Sequence, residues 1–159
     1  MKIAIGADHG GYKLKNKIIK FLEAKGCAVA DLGTHSPKRC DYPPIGFKVA
    51  SSVALGVFSR AILICKTGLG FSIVANRSPG VRAALCLSRQ QAILSRQHNN
   101  ANILVLAANY LSTQKASAIV EAWLKTGFSG GRHGRRVRQI ANIEKRILRS
   151  RSDGFPKKG

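Results

Sequence analysis

Short apolar runs alternate along the chain with stretches in which apolar residues recur every three or four positions. KIAIGA (2–7), CAVADLG (27–33), AILIC (61–65), VRAALC (81–86) and NILVLAA (102–108) predict strands. The segment 11–26, GYKLKNKIIKFLEAKG, has apolar side chains at 14, 18, 19 and 22, which is helical spacing, and Gly26 suits its stop. The three prolines in THSPKRCDYPP (34–44) mark a loop, and Pro43 and Pro44 predict a helix start that runs to about Leu55. A short helix is predicted near 70–77, and Ser88 is placed to cap another that reaches about Gln97. STQKASAIVEAWLKTG (112–127) and RHGRRVRQIANIEKRILRS (132–150) predict the last two. The links are too short for a second domain. Residues 1–150 therefore read as one domain with a C-terminal helix, and 151–159 as a flexible basic tail.

Five strands alternating with helices predict an α/β fold, a three-layer Rossmann-like sandwich with a five-stranded parallel sheet. Ligands of such sheets bind outside the carboxyl ends of the strands. That rule selects Asp8-His9-Gly10-Gly11 after the first strand and Cys65-Lys66-Thr67-Gly68-Leu69-Gly70 after the third. It also selects His98-Asn99-Asn100, after the fourth strand and its helix, which is expected on the same edge. Each group has a plainer alternative. Asp-His after a strand can be a turn or cap, a strand-end Cys can be packing, and His-Asn-Asn makes a good helix C-cap. Their coincidence on one edge favours a site.

Composition narrows the classes. Hydrophobic residues make up 45% of the 159, which excludes a disordered chain. No apolar run approaches the roughly 20 residues of a membrane helix. The opening MKIAIGADHGG reads as a strand and not as an export signal, so a cytoplasmic location is expected. Cysteines at 27, 40, 65 and 86 form no C-x-x-C pair and are expected to be free thiols. The 27 Lys and Arg outweigh 7 Asp and Glu, a net charge of +20. Such a field attracts polyanions and small phosphorylated substrates alike. Ten basic residues lie from Arg132 onward, so a polyanion-binding protein on this fold is the competing hypothesis. Phe155 is the only aromatic residue in that stretch and no recognition motif accompanies it, which argues against specific nucleic-acid binding.

The glycine loop is neither a dinucleotide fingerprint nor a P-loop. Ile73 stands where the third glycine of G-x-G-x-x-G belongs, and no G-x-x-x-x-G-K-[ST] is present. What remains is an amide-rich turn beside a thiol. A thiolate can take a proton from carbon next to a carbonyl, and the amides of Thr67 to Gly70 can hold the resulting enediolate. Nearby positive charge is expected to lower the thiol pKa. This chemistry calls for no cofactor and no metal.

The motifs IGADHGGYKLK, DLGT with DYP nearby, LICKTGLGFSIVANR, SRQHNNANIL and GGRHGRRV together resemble the ribose-5-phosphate isomerase type B family, which also includes galactose-6-phosphate isomerase subunits. The resemblance spans about Met1 to Arg146. It implies a cofactor-free aldose–ketose isomerase of the pentose phosphate pathway, interconverting ribose 5-phosphate and ribulose 5-phosphate. Allose or galactose 6-phosphate is the alternative substrate. It implies Cys65 as the base, His98 as the ring-opening residue and Thr67, which follows the base, as a catalytic residue that helps position substrate or thiol. Substrate contacts are implied at Asp8, His9, Tyr42, Lys66, Gly68, Leu69, Gly70 and Asn99. Phosphate contacts are implied at Arg132 and Arg136, which in the family reach a neighbouring subunit's site. The resemblance thus implies a homo-oligomer with shared sites, a dimer or a tetramer. Two positions depart from the family: Lys66 replaces a small residue, and Asn109 stands where many relatives carry a phosphate-contacting arginine. The second departure either weakens the phosphate site or shifts its charge to Lys66 or Arg135.

Overall fold

The computed structural model describes residues 2–152; most of the basic tail, with Phe155, Lys157 and Lys158, lies outside the described residues. Among the described residues the strands are β1 (Lys2–Ala7), β2 (Ala28–Asp31), β3 (Ala61–Cys65), β4 (Ala83–Leu85) and β5 (Ile103–Ala107). The helices are α1 (Tyr12–Ala24), α2 (Tyr42–Ala54), α3 (Leu69–Ala75), α4 (Arg89–Asn99), α5 (Thr113–Lys125) and α6 (Gly131–Ser152). α6 thus takes in the first two residues of the segment assigned to the tail.

The strands form one parallel sheet in the order β2-β1-β3-β5-β4. The strands with the longest apolar runs, β1, β3 and β5, occupy its middle, where both faces are covered. Alternation along each strand sorts its side chains between two cores. Ile3, Ile5, Ile62, Ile64, Leu104 and Leu106 pack under α1, α4 and α5. Ala4, Leu63, Cys65, Ile103 and Val105 pack under α2 and α3. This is the expected three-layer sandwich.

The edge strands are shorter than the sequence predicts, for local reasons. In β4 the Arg82 N–H goes to the Asn102 side chain at 2.7 Å, so pairing starts late. In β2 the Asp31 carboxylate turns back to accept from the Gly33 N–H at 3.2 Å. The predicted caps form: Ser88 Oγ accepts from the Gln91 N–H at 3.1 Å, and Asn100 closes α4 in the left-handed region, φ 47°.

Two features set the frame around the sheet ends. Lys15 of α1 is fully buried, and its ammonium donates to Asp31 Oδ2 at 2.5 Å, Gly33 O at 2.6 Å and Thr34 O at 2.7 Å. It ties the loop after β2 to α1. At the amino ends of the strands, two guanidiniums approach the Trp123 ring, Arg60 at 5.4 Å and Arg96 at 5.8 Å from its centroid.

Candidate active site

β2 and β3 flank β1 on opposite sides, so strand order reverses between β1 and β3. Such a reversal is where parallel sheets leave a crevice outside the carboxyl ends of their strands. Asp8 and His9 come from one wall and Cys65 to Gly70 from the other. Asp8 is buried, and its Oδ1 accepts from the Gly11 N–H at 2.9 Å, which starts α1. Gly11 must be glycine, because a Cβ there would stand 2.0 Å from the carbonyl oxygen of Ile64. The His9 ring meets the backbone of Cys40, its Nδ1 lying 3.2 Å from Cys40 O and 3.3 Å from Cys40 N.

Cys65 ends β3 with 5% of its surface exposed. Its Sγ accepts from the Gly68 N–H at 3.2 Å. Burial raises the thiol pKa, hydrogen bonds from the amides of Gly68, Phe71 and Thr67 pull it down, and the Asp8 carboxylate pushes it up. Burial wins, so the expectation of a thiol pKa lowered by nearby cations is not met: the charged neighbour acting on Cys65 is an anion. The amides expected to face an oxyanion are partly committed to the sulfur. Their turn needs Gly68 at φ +76°.

Tyr42, at the start of α2, lies over this turn. Its ring sits edge-on to Phe71 at 5.9 Å, and a Cβ on Gly70 would come within 2.7 Å of it. The Thr67 hydroxyl accepts from the Leu69 N–H at 3.4 Å. Lys66 is exposed, and its stem crosses the β1–α1 turn, where a Cβ on Gly10 would meet its Cγ at 2.4 Å. Its carbonyl accepts from the Asn109 N–H at 3.0 Å. The two departures from the family pattern are therefore neighbours.

The structure does not bring His98 and Asn99 to this crevice. α4 runs antiparallel to the strands and returns the chain to the amino edge of the sheet. Asn99 and Asn100 carbonyls there accept from Arg82 Nε at 3.0 and 3.1 Å, just before β4. Cys65 pairs with Ala107 at the far end of β5. The two groups are separated by a strand's length, roughly 15 Å. The expectation of a shared edge fails because a helix after a strand delivers its last turn to the edge where that strand began.

Arg132 and Arg136 join His98 at the amino edge. The Ser129 N–H donates to Gln97 O at 3.1 Å, fixing α6 beside the end of α4. Both arginines are exposed on the first turns of α6, as is Arg135. Between them the His133 ring stacks on His98, centroids 4.2 Å apart and planes 3° apart. Sequence reasoning missed His133 although it lies inside the RHGRR motif, since only the fold reveals its partner. Within one chain the candidate site residues thus fall into two groups at opposite edges of the sheet. One holds the thiol, Asp8, His9, Tyr42 and Lys66, and the other holds His98, Asn99, Arg132 and Arg136. Among the described residues no group of three or more His, Cys, Asp or Glu side chains is placed to hold a metal, and no helix is long and apolar enough to cross a membrane.

The family model for ribose/galactose isomerase matches residues 3–140. The chain is 46% identical over 145 residues to the ribose-5-phosphate isomerase B of Escherichia coli, an alignment covering 91% of this chain and 97% of that protein. Its fold is similar to the ribose-5-phosphate isomerase B of Clostridium thermocellum, with a TM-score of 0.91, 51% identity and coverage of 92% and 99% of the two chains. It is similar also to the Mycoplasma genitalium ribose-5-phosphate isomerase B solved with bound ribulose-5-phosphate, with a TM-score of 0.87, 41% identity and coverage of 91% and 96%. The order of strands, the glycine turn after the thiol and these matches along nearly the whole chain agree: the protein belongs to the ribose/galactose isomerase family.

Proposed function

We propose that this chain is an aldose–ketose isomerase that interconverts ribose 5-phosphate and ribulose 5-phosphate, with each active site shared between two copies. The observation that carries the reading is Cys65 at the strand-order reversal, its sulfur held by the amides of a glycine turn. Sharing is supported by the distance between the half-sites within one chain. It is supported also by apolar side chains left exposed on two helices: Leu69 and Ile73 on α3, Ile140, Ile143 and Ile147 on α6.

In the proposed mechanism His98 of a second copy moves a proton between the C1 hydroxyl and the ring oxygen of the aldose, opening the ring. The Cys65 thiolate takes the C2 proton, and negative charge develops on the oxygen at C1. The turn amides face that charge, with those not engaged by sulfur free to hold it. Cys65 then returns the proton to C1 while the proton on the C2 oxygen passes to the negatively charged C1 oxygen, leaving the ketose with its C1 hydroxyl. Asp8, His9, Tyr42 and Asn99 bind hydroxyls along the chain of the sugar. Arg132 and Arg136 of the second copy grip the phosphate with guanidinium forks. The net charge of +20 draws the dianionic substrate in.

The test is proton exchange at C2. Ribose 5-phosphate is incubated with the protein in D2O and followed by NMR; loss of the C2 proton with appearance of ribulose 5-phosphate is the expected result. No exchange with this sugar, or with allose or galactose 6-phosphate in the same assay, would sink the reading. Because burial raises the Cys65 pKa, the thiolate fraction and the rate of exchange rise as pH climbs above neutrality. A rate that falls over that range points to another base.

A further inference from the structure

We infer that His133 is a positioning residue for the ring-opening step, its imidazole stacked on His98 so as to fix the plane in which that ring meets the sugar. This rests on the isomerase reading above. The stack is close and nearly parallel, 4.2 Å and 3°. It is built from both sides. The Ser129 N–H holds the preceding loop to α4 through Gln97 O. Gly130 and Gly131, at φ 66° and 50°, turn the chain into α6 through conformations other residues rarely adopt. The His133 N–H then bonds Gly130 O at 3.0 Å, locking the first turn.

The surroundings disfavour the charged form of His133. Desolvation lowers its pKa first, followed by His98 from α4 and Arg132 and Arg136 from its own helix. The loop 126–130 that packs there carries no titratable side chain. A neutral, flat neighbour suits a ring that must itself gain and lose a proton, because two imidazolium rings at this spacing would repel. His98 sits in the last turn of α4, and the stack holds its ring there against free rotation. A side chain whose plane is fixed loses less on reaching the reactive geometry.

The experiment compares His133→Ala with His133→Phe. The alanine variant is expected to lower turnover of ribose 5-phosphate about ten- to a hundredfold. It should leave exchange of the C1 protons of ribulose 5-phosphate near the wild-type rate, because that ketose is already open-chain. The phenylalanine variant, which keeps the flat surface without the nitrogens, restores most of the turnover. Without substrate, the His98 ring protons shift upfield under the stacked ring in the wild type and His133→Phe, and lose that shift in His133→Ala. Equal losses in both directions, or a raised KM with turnover unchanged, assign His133 to the phosphate and overturn the inference. So does a phenylalanine variant as poor as alanine, or His98 proton shifts that ignore the substitution. A wild-type protein that exchanges no sugar removes the isomerase reading and this role with it.

Discussion

If Cys65 and His98 serve different sites within one dimer, two inactive proteins should make an active one. Take Cys65→Ala, which lacks the base, and His98→Asn, which lacks the ring-opening group. General acid–base groups contribute about 10²- to 10⁴-fold, so each parent is expected at or below about 1% of wild-type turnover of ribose 5-phosphate. The outcome of mixing is set by geometry. In a two-fold dimer of the two chains, one site receives both lesions and the other receives neither, because the thiol and the imidazole lie at opposite edges of each sheet. Co-expression with two affinity tags and tandem purification isolates that heterodimer. It should carry about half the wild-type activity per dimer, and an unfractionated statistical mixture about a quarter. The rise over the parents is then at least tenfold, far outside assay error. A purified heterodimer no more active than its parents would falsify the shared site and require both groups to act within one chain.

Lys15→Met removes a buried ammonium and strands Asp31 and two carbonyls. Asp31 keeps 26% exposure, so the loss sits near the lower end for a broken buried pair, about 3 kcal/mol, or a fall in Tm of roughly 6–12 °C. Melting at fixed protein concentration checks this, and an unchanged Tm refutes it. Burial pushes the Cys86 thiol up to about 11, against an ordinary value of 9.0. The folded state therefore holds that proton more tightly than the unfolded chain. The stabilisation is full below pH ~9 and disappears as pH rises through about 11, amounting to about 2–3 kcal/mol. Denaturant titrations of wild type and Cys86→Ala between those pH values should converge as pH rises, and parallel curves would rule it out.

The central strands were legible because β1, β3 and β5 are buried on both faces and leave near-continuous apolar runs in the sequence. The edge strands were over-read. Side-chain hydrogen bonds divert the backbone at their ends, from Asp31 at the close of β2 and from Asn102 at the start of β4, and these carry no periodic signal. At the site, Asp8, His9 and Cys65 to Gly70 could be placed from the rule for strand ends, since each follows its strand directly. His98 could not, because its position depends on the direction of a whole helix. The buried state of Lys15 was hidden for a similar reason: its partners come from a segment some sixteen residues on, and nothing local marks it as paired. The raised thiol pKa comes from burial and from Asp8, both facts of three-dimensional packing that composition cannot supply.

Trp123 is the only tryptophan in the chain, fully buried, with the Arg60 and Arg96 guanidiniums both over its ring. The protein therefore carries a built-in optical reporter. Arg96 lies two residues before His98, and its Nη1 also donates to Ala101 O at 2.6 Å, so the indole shares a frame with the His98 imidazole. Fluorescence from this one ring reads the electric field of two fixed cations at the amino edge. If the sites are shared as proposed, emission changes on adding a sugar phosphate report events around His98, separating them from those around the thiol of the same chain.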